Sequence, residues 1–153
     1  MVPSRSGGNG YRIPAESTVA SVITEILEDA LTVRSQTRFH KLVLGRLKER
    51  NGGKFRLSAE RLRRIAARME NVDLIIHCRE GSRTSRKSIC PVCGIAMGDI
   101  KNSTLYGWTV STGKYCSVCG YWTGTHERIP TRYVFTVEKE RYLGEKMKEN
   151  GAR

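Results

Sequence analysis

The sequence has no long apolar run. Nowhere do hydrophobic residues approach the ~20 consecutive positions that a membrane-spanning helix requires, although hydrophobic types make up 39% of the 153 residues. The opening MVPSRSGGNGYRIP holds no apolar segment that could act as a signal peptide. It predicts a disordered tail over residues 1–15 and a cytoplasmic protein. Disulfides are rare in that compartment, so paired cysteines there point to a metal. Histidine is scarce, and His40, His77 and His126 stand isolated from one another. No nucleophile stands beside a base, and there is neither a Gly-rich phosphate loop nor a carboxylate pair in a catalytic context. The expectation is a protein that is not an enzyme.

Acidic residues are scarce where basic ones are dense. Residues 34–88 hold 16 Lys and Arg against 5 Asp and Glu, a net +11 within a chain charge of +12. The preceding segment is net −2 and the following one net +3. A heat-adapted surface would interleave both signs. A block of one sign implies a polyanionic partner, most simply nucleic acid.

Apolar spacing places the helices. Val19, Val22, Ile23, Ile26, Leu27 and Ala30 recur at three- and four-residue intervals, which predicts a helix over 16–33 with Ser17 as its N-cap and an acidic outer face. Ser35 opens a second helix with Phe39, Leu42, Val43 and Leu47 as its apolar stripe, and Asn51-Gly52-Gly53 stops it. Ser58 caps a third, whose buried face is Leu62, Ile65, Ala66 and Met69. Arg61, Arg64 and Arg68 share another face of it, within ~60° of one another, and Glu60 lies to one side of that stripe. Residues 72–80, VDLIIHCRE, read as a strand. Small, polar and basic residues 81–88 read as a linker, either a bare tether or a segment that follows a phosphate backbone.

Three helices and a strand over residues 16–80 resemble a helix-turn-helix domain with a partial wing. The eight-residue connection NGGKFRLS fits winged variants better than the tight form. The resemblance implies that Arg61, Arg64 and Arg68 face the duplex while Lys48, Arg50, Lys54 and Arg56 hold phosphates. Arg83, Arg86 and Lys87 of the linker are further candidate contacts.

Four of the five cysteines form two repeats, Cys90-x2-Cys93-Gly94 and Cys116-x2-Cys119-Gly120, with 22 residues between the pairs. Two thiolates at this spacing can reach one ion only if the chain turns tightly after the first. A following glycine allows the positive φ of such a turn. Four thiolates make a closed tetrahedral site, structural rather than catalytic, and select zinc or iron over harder cations. The segment between the pairs reads as a β-hairpin over STLYGWTVSTGKY, and RIPTRYVFTV as a further strand. This arrangement is similar to the zinc ribbon family over residues 89–136. Rubredoxins use the same knuckles for iron, and they carry an aromatic after one of them, as Tyr121 does here. The charge and the helical domain favour one structural Zn2+. Cys78 predicts a buried neutral thiol. Tyr106, Trp108, Tyr115, Tyr121 and Trp122 read mostly as ribbon core, with Trp108 and Trp122 the candidates for exposure and for stacking on unpaired bases. Residues 137–153 predict a surface helix or tail.

The fold class expected is therefore α+β: an N-terminal helical, winged helix-turn-helix-like domain plus a C-terminal zinc ribbon of antiparallel β-strands. The domain order resembles that of archaeal general transcription factors of the E type. That likeness implies a DNA-binding, transcription-related factor of archaeal origin, from which the cysteine spacing and the basic charge depart. The alternatives are an RNA-binding or ribosome-associated protein, and an adaptor whose ribbon recruits a protein partner.

Overall fold

The computed structural model describes residues 11–85 and 87–151. Arg86 and residues 1–10 of the expected tail lie outside them. Among the described residues the fold is mixed α and β, with four helices and three small sheets. The chain divides into two units at Ile75/Ile76 and Tyr133/Val134. The first joins the N-terminal part to the C-terminal part, and the second is the stretch between them.

In the first unit, β1 (Tyr11–Arg12) pairs in parallel with β3 (Lys54–Phe55). Tyr11 and Arg12 are therefore strand, not tail. The pairing is made by backbone, extended by Arg56 N–H donating to the Arg12 carbonyl at 2.8 Å, and it leaves no period in the side chains to read. Helix α1 (Glu16–Ala30) buries Val19, Val22, Ile23, Ile26 and Leu27. Its N-cap is Ala15, without a side-chain cap, so Ser17 lies inside the first turn instead of before it. Pro14 and Glu16 set that start: proline cannot continue a helix backwards, and an acid favours the positive end of the helix dipole. Helix α2 (Gln36–Asn51) is capped by Ser35, whose hydroxyl accepts from Arg38 N–H at 3.3 Å. Phe39, Val43 and Leu47 are buried, whereas Leu42 lies outside the stripe and is exposed. Helix α3 (Ala59–Arg68) is capped in the same way by Ser58, which accepts from Arg61 N–H at 3.1 Å. Leu62, Ile65 and Ala66 are buried, and Met69 falls just beyond the helix as its C-cap.

Two long strands pass from one unit to the other. β4 (Asp73–Thr84) outruns the predicted strand 72–80 and takes in Gly81–Thr84, so the expected linker 81–88 is strand over its first half. Gly81 is there for packing: a Cβ on it would come within 2.6 Å of the Glu127 side chain. β8 (His126–Thr136) lies between β4 and β2 (Thr32–Val33). Its last residues pair antiparallel with β2, Phe135 opposite Val33 and Thr136 opposite Thr32. Val134, Phe135 and Thr136 are fully buried, and the Phe135 ring stacks on Phe39 with centroids 4.2 Å apart. The second domain was placed at 89–136, but these three residues belong to the first unit's core. Helix α4 (Lys139–Gly151) follows, with Tyr142 buried under the Arg34 guanidinium.

In the second unit, β5 (Gly98–Ser103), β6 (Thr109–Tyr115) and β7 (Trp122–Thr123) form an antiparallel sheet in that order. The first hairpin strand precedes the segment from which a hairpin was predicted, and its turn covers Thr104–Gly107. Gly113 is demanded by close approach, since a Cβ there would meet the Thr123 carbonyl oxygen of β7.

Candidate metal centre

Each C-x2-C-G stretch folds into the same knuckle. Gly94 N–H donates to the Cys90 carbonyl at 2.9 Å, and Gly120 N–H to the Cys116 carbonyl at 3.1 Å. Both glycines sit at positive φ, +78° and +80°. A second rung closes each turn, Cys90 N–H to Ile95 carbonyl at 2.8 Å and Cys116 N–H to Tyr121 carbonyl at 2.7 Å. Val92 N–H points at the Cys90 sulfur at 3.4 Å, as an amide does where a thiolate is to be stabilised.

The two knuckles bring their four sulfurs together. All four Sγ atoms lie within 4.8 Å of one another, with Cys93–Cys116 at 3.3 Å and Cys90–Cys119 at 3.5 Å. A tetrahedral ion about 2.3 Å from each sulfur would hold sulfurs roughly 3.8 Å apart, so the cluster has the size of a four-thiolate site. It is too wide for disulfides, whose sulfurs lie about 2.05 Å apart, and all five cysteines are free. The four sulfur ligands are positioned to bind one metal ion. Burial pushes the Cys93 thiol up to about 11 and the Cys119 thiol higher still. At Cys116 burial acts in the same direction, but the amides of Cys119 and Val118 and the neighbouring thiols outweigh it and bring the group below its ordinary value. Burial thus favours the neutral thiols at Cys93 and Cys119, and an incoming cation must expel their protons.

Tyr121 supports the second knuckle from behind. It is buried, its hydroxyl donates to the Arg128 carbonyl at 2.5 Å, and burial raises its phenol to about 12. No histidine joins the sulfurs among the described residues. His126 lies 3.9 Å from Glu80, and His40 Nε2 is 2.5 Å from the Leu57 carbonyl. Cys78 is half-buried rather than buried; what burial it has raises its thiol, and Arg128 opposes that.

The basic residues divide into engaged and unengaged sets. On α3, Arg64 is paired with Glu60 at 2.7 Å, so Glu60 does reach the arginine stripe that it was expected to flank. Glutamate one turn before arginine faces it on a helix surface. Arg61 is half-buried, and only Arg68 of the three is exposed. On α2, Arg50 is held by Ser21 at 3.1 Å and lies 3.7 Å from Glu25. Arg46 takes the other oxygen of Glu25 at 2.7 Å, with Asp29 at 3.8 Å. Lys54 stands over the Tyr11 ring at 5.7 Å. Lys48, Arg56, Arg68, Arg83 and Lys87 are exposed. Arg83 and Lys87 line a shallow cavity of about 200 Å³ in the second unit, together with Arg128.

The aromatic residues depart furthest from expectation. Of the five read mostly as core, only Tyr121 is buried; Trp108 and Trp122 are exposed, as the two candidates for exposure, and Tyr106 and Tyr115 are exposed against expectation. The Arg128 guanidinium lies 3.8 Å from the centre of the Trp122 ring and donates to the Trp122 carbonyl. A usable signal for the rings was the turn itself: residues beside Gly107 at a hairpin tip have no neighbouring strand to cover them. Compared with models of known protein families, with curated proteins and with solved structures, the chain finds no match.

Proposed function

We propose that this chain is a zinc-containing nucleic-acid-binding protein with a transcription-related role, without catalytic activity of its own. In this reading α1, α2, α3 and β4 form a helix-turn-helix-like unit with a winged character. The knuckles with β5–β7 form a zinc ribbon around one structural Zn2+. Four sulfurs leave the ion no open position, so its work is to hold the fold.

The observation that carries the nucleic-acid reading is charge left uncompensated by the fold. Two of the four acids of α1, Glu25 and Asp29, are taken up by Arg46 and Arg50. Lys48, Arg56, Arg68, Arg83 and Lys87 make no ion pair among the described residues and face solvent. Cations in that state are available for phosphates, whose contacts dominate the affinity of such proteins and fix no sequence. With Arg64 occupied by Glu60, base reading by the α3 stripe carries less of the binding than backbone contact does.

The test is a salt titration of binding to a 25-base-pair duplex. Contacts from these five side chains predict a log–log slope of roughly −4 to −5, at about 0.9 per phosphate. An affinity unchanged between 50 and 300 mM salt would sink the reading and turn the search to a protein partner. An RNA-binding or ribosome-associated role is the second reading, and the exposed aromatics favour it.

A further inference from the structure

The β5–β6 hairpin ends in side chains that nothing in the fold covers. Leu105 is fully exposed, Tyr106 is 85% exposed and Trp108 is 71% exposed. The tip is nevertheless well held. Thr104 N–H donates to the Trp108 carbonyl at 2.6 Å, Gly107 N–H to the Thr104 carbonyl at 3.0 Å, and Trp108 N–H to the Thr104 hydroxyl at 3.1 Å. The two rings stand 6.3 Å apart and tilted by 45°, so they do not stack on each other and their faces stay open.

What surrounds them narrows the occupant. The flanking residues Asn102, Ser103, Thr104, Thr109 and Ser111 are polar, and with the exposed Val110 the apolar area comes to four side chains. That is far below the ~800 Å² per partner of a stable protein interface. Residues 76–133 carry 8 basic and 3 acidic residues. Within the same unit Lys101 is exposed, and Arg128 is spread over Trp122. Open aromatic faces on a unit of net positive charge suit a ligand that is both planar and anionic. Bases locked in a duplex cannot offer their faces; unpaired bases can.

We propose that this hairpin tip binds unpaired nucleotides of single-stranded nucleic acid, their bases stacking on Tyr106 and Trp108 while the cations of the unit meet the phosphates. The proposal rests on the nucleic-acid reading above and names the form of nucleic acid that this unit takes.

The experiment uses the full, zinc-loaded chain and its own fluorescence, since Trp108 and Trp122 are the two tryptophans. In W122F, Trp108 is the sole reporter. Titration with 15-mer oligo(rU) and oligo(dT) should quench it, and a duplex of the same length should not. Tyr106→Ala with Trp108→Ala should weaken single-strand binding by roughly 10- to 100-fold, the loss of one or two stacked bases, and leave duplex binding within about 2-fold. Trp108→Phe, which keeps a ring, should retain affinity within about 3-fold. Both positions are exposed, so loss of folding is not a competing explanation. Unquenched Trp108 in a chain that binds duplex overturns this inference alone, as does a double variant with undiminished single-strand affinity. A blue shift of Trp108 on phosphatidylserine vesicles without quenching by oligonucleotides overturns it in favour of a membrane surface. No binding to either form of nucleic acid, even at low salt, overturns this inference and the reading beneath it together.

Discussion

The two units of the chain put their large side chains to opposite uses. In the helical unit the rings go inside: Phe39 and Phe135 stack at the centre, closed in by Val19, Ile23, Leu27, Val43, Leu47 and Leu62. In the cysteine unit the interior is sulfur with Val92 and Tyr121, while Tyr106, Trp108, Tyr115 and Trp122 face outward. The difference follows from what holds each unit. A helical unit of this size must bury apolar area, at roughly 25 cal/mol per Å², or it does not fold. A unit whose four cysteines bind an ion would gain on the order of 10 kcal/mol from four bonds, which would release its aromatic side chains for the surface.

Removing the ion should therefore break the comparison most sharply. Cys93→Ser, or a chelator acting on the wild type, should abolish hydrogen-exchange protection throughout β5–β7, a loss on the order of 10 kcal/mol, while amides of α1, α2 and α3 stay protected. Acid should act like the chelator, because burial favours the protonated thiols at Cys93 and Cys119. Metal affinity then rises with pH and is lost as protons return to the sulfurs. Loss of protection in α1–α3 in step with β5–β7 would show that one core serves both units. Phe135→Ala is the converse cut. Deleting a stacked, fully buried ring costs about 3–5 kcal/mol, so the helical unit should melt well below the wild type. Metal content should stay at one ion per chain, read by atomic spectroscopy at room temperature. Metal lost along with the helical core would merge the two units energetically.

The same contrast decides what could be read before the fold was known. Knuckle spacing is local, and a positive φ at Gly94 and Gly120 is written as glycine, so the cysteine cluster was visible in the sequence. So were the caps at Ser35 and Ser58, where one hydroxyl meets an amide three residues on. Tyr106 and Tyr115 misled because burial was inferred from residue type, as a hydrophobic core would justify; where four cysteine sulfurs fill the centre that inference fails. Gly81–Thr84 misled for a different reason. Their composition is that of a loop, and only a distant partner, β8, makes them strand. The same holds for Tyr11–Arg12 with β3. Pairing between segments over a hundred residues apart, such as Thr32 with Thr136, leaves no local trace.

The smallest effect tests the charges rather than the cores. Glu60 and Arg64 pair at 2.7 Å on the surface of α3, with side chains about half exposed. A surface pair one helical turn apart is worth about 0.3–0.5 kcal/mol, so Glu60→Gln should lower the melting temperature by at most a few degrees. Its effect on binding should have the opposite sign. The change removes a negative charge beside the stripe and frees the Arg64 guanidinium for a phosphate. If the helical unit meets nucleic acid on this face, duplex affinity should rise several-fold at low salt and the salt slope should steepen by up to about one contact. An unchanged or weaker affinity would place α3 away from the nucleic acid. Binding would then rest on cations elsewhere, and the arginine stripe would be part of the fold's own charge pairing.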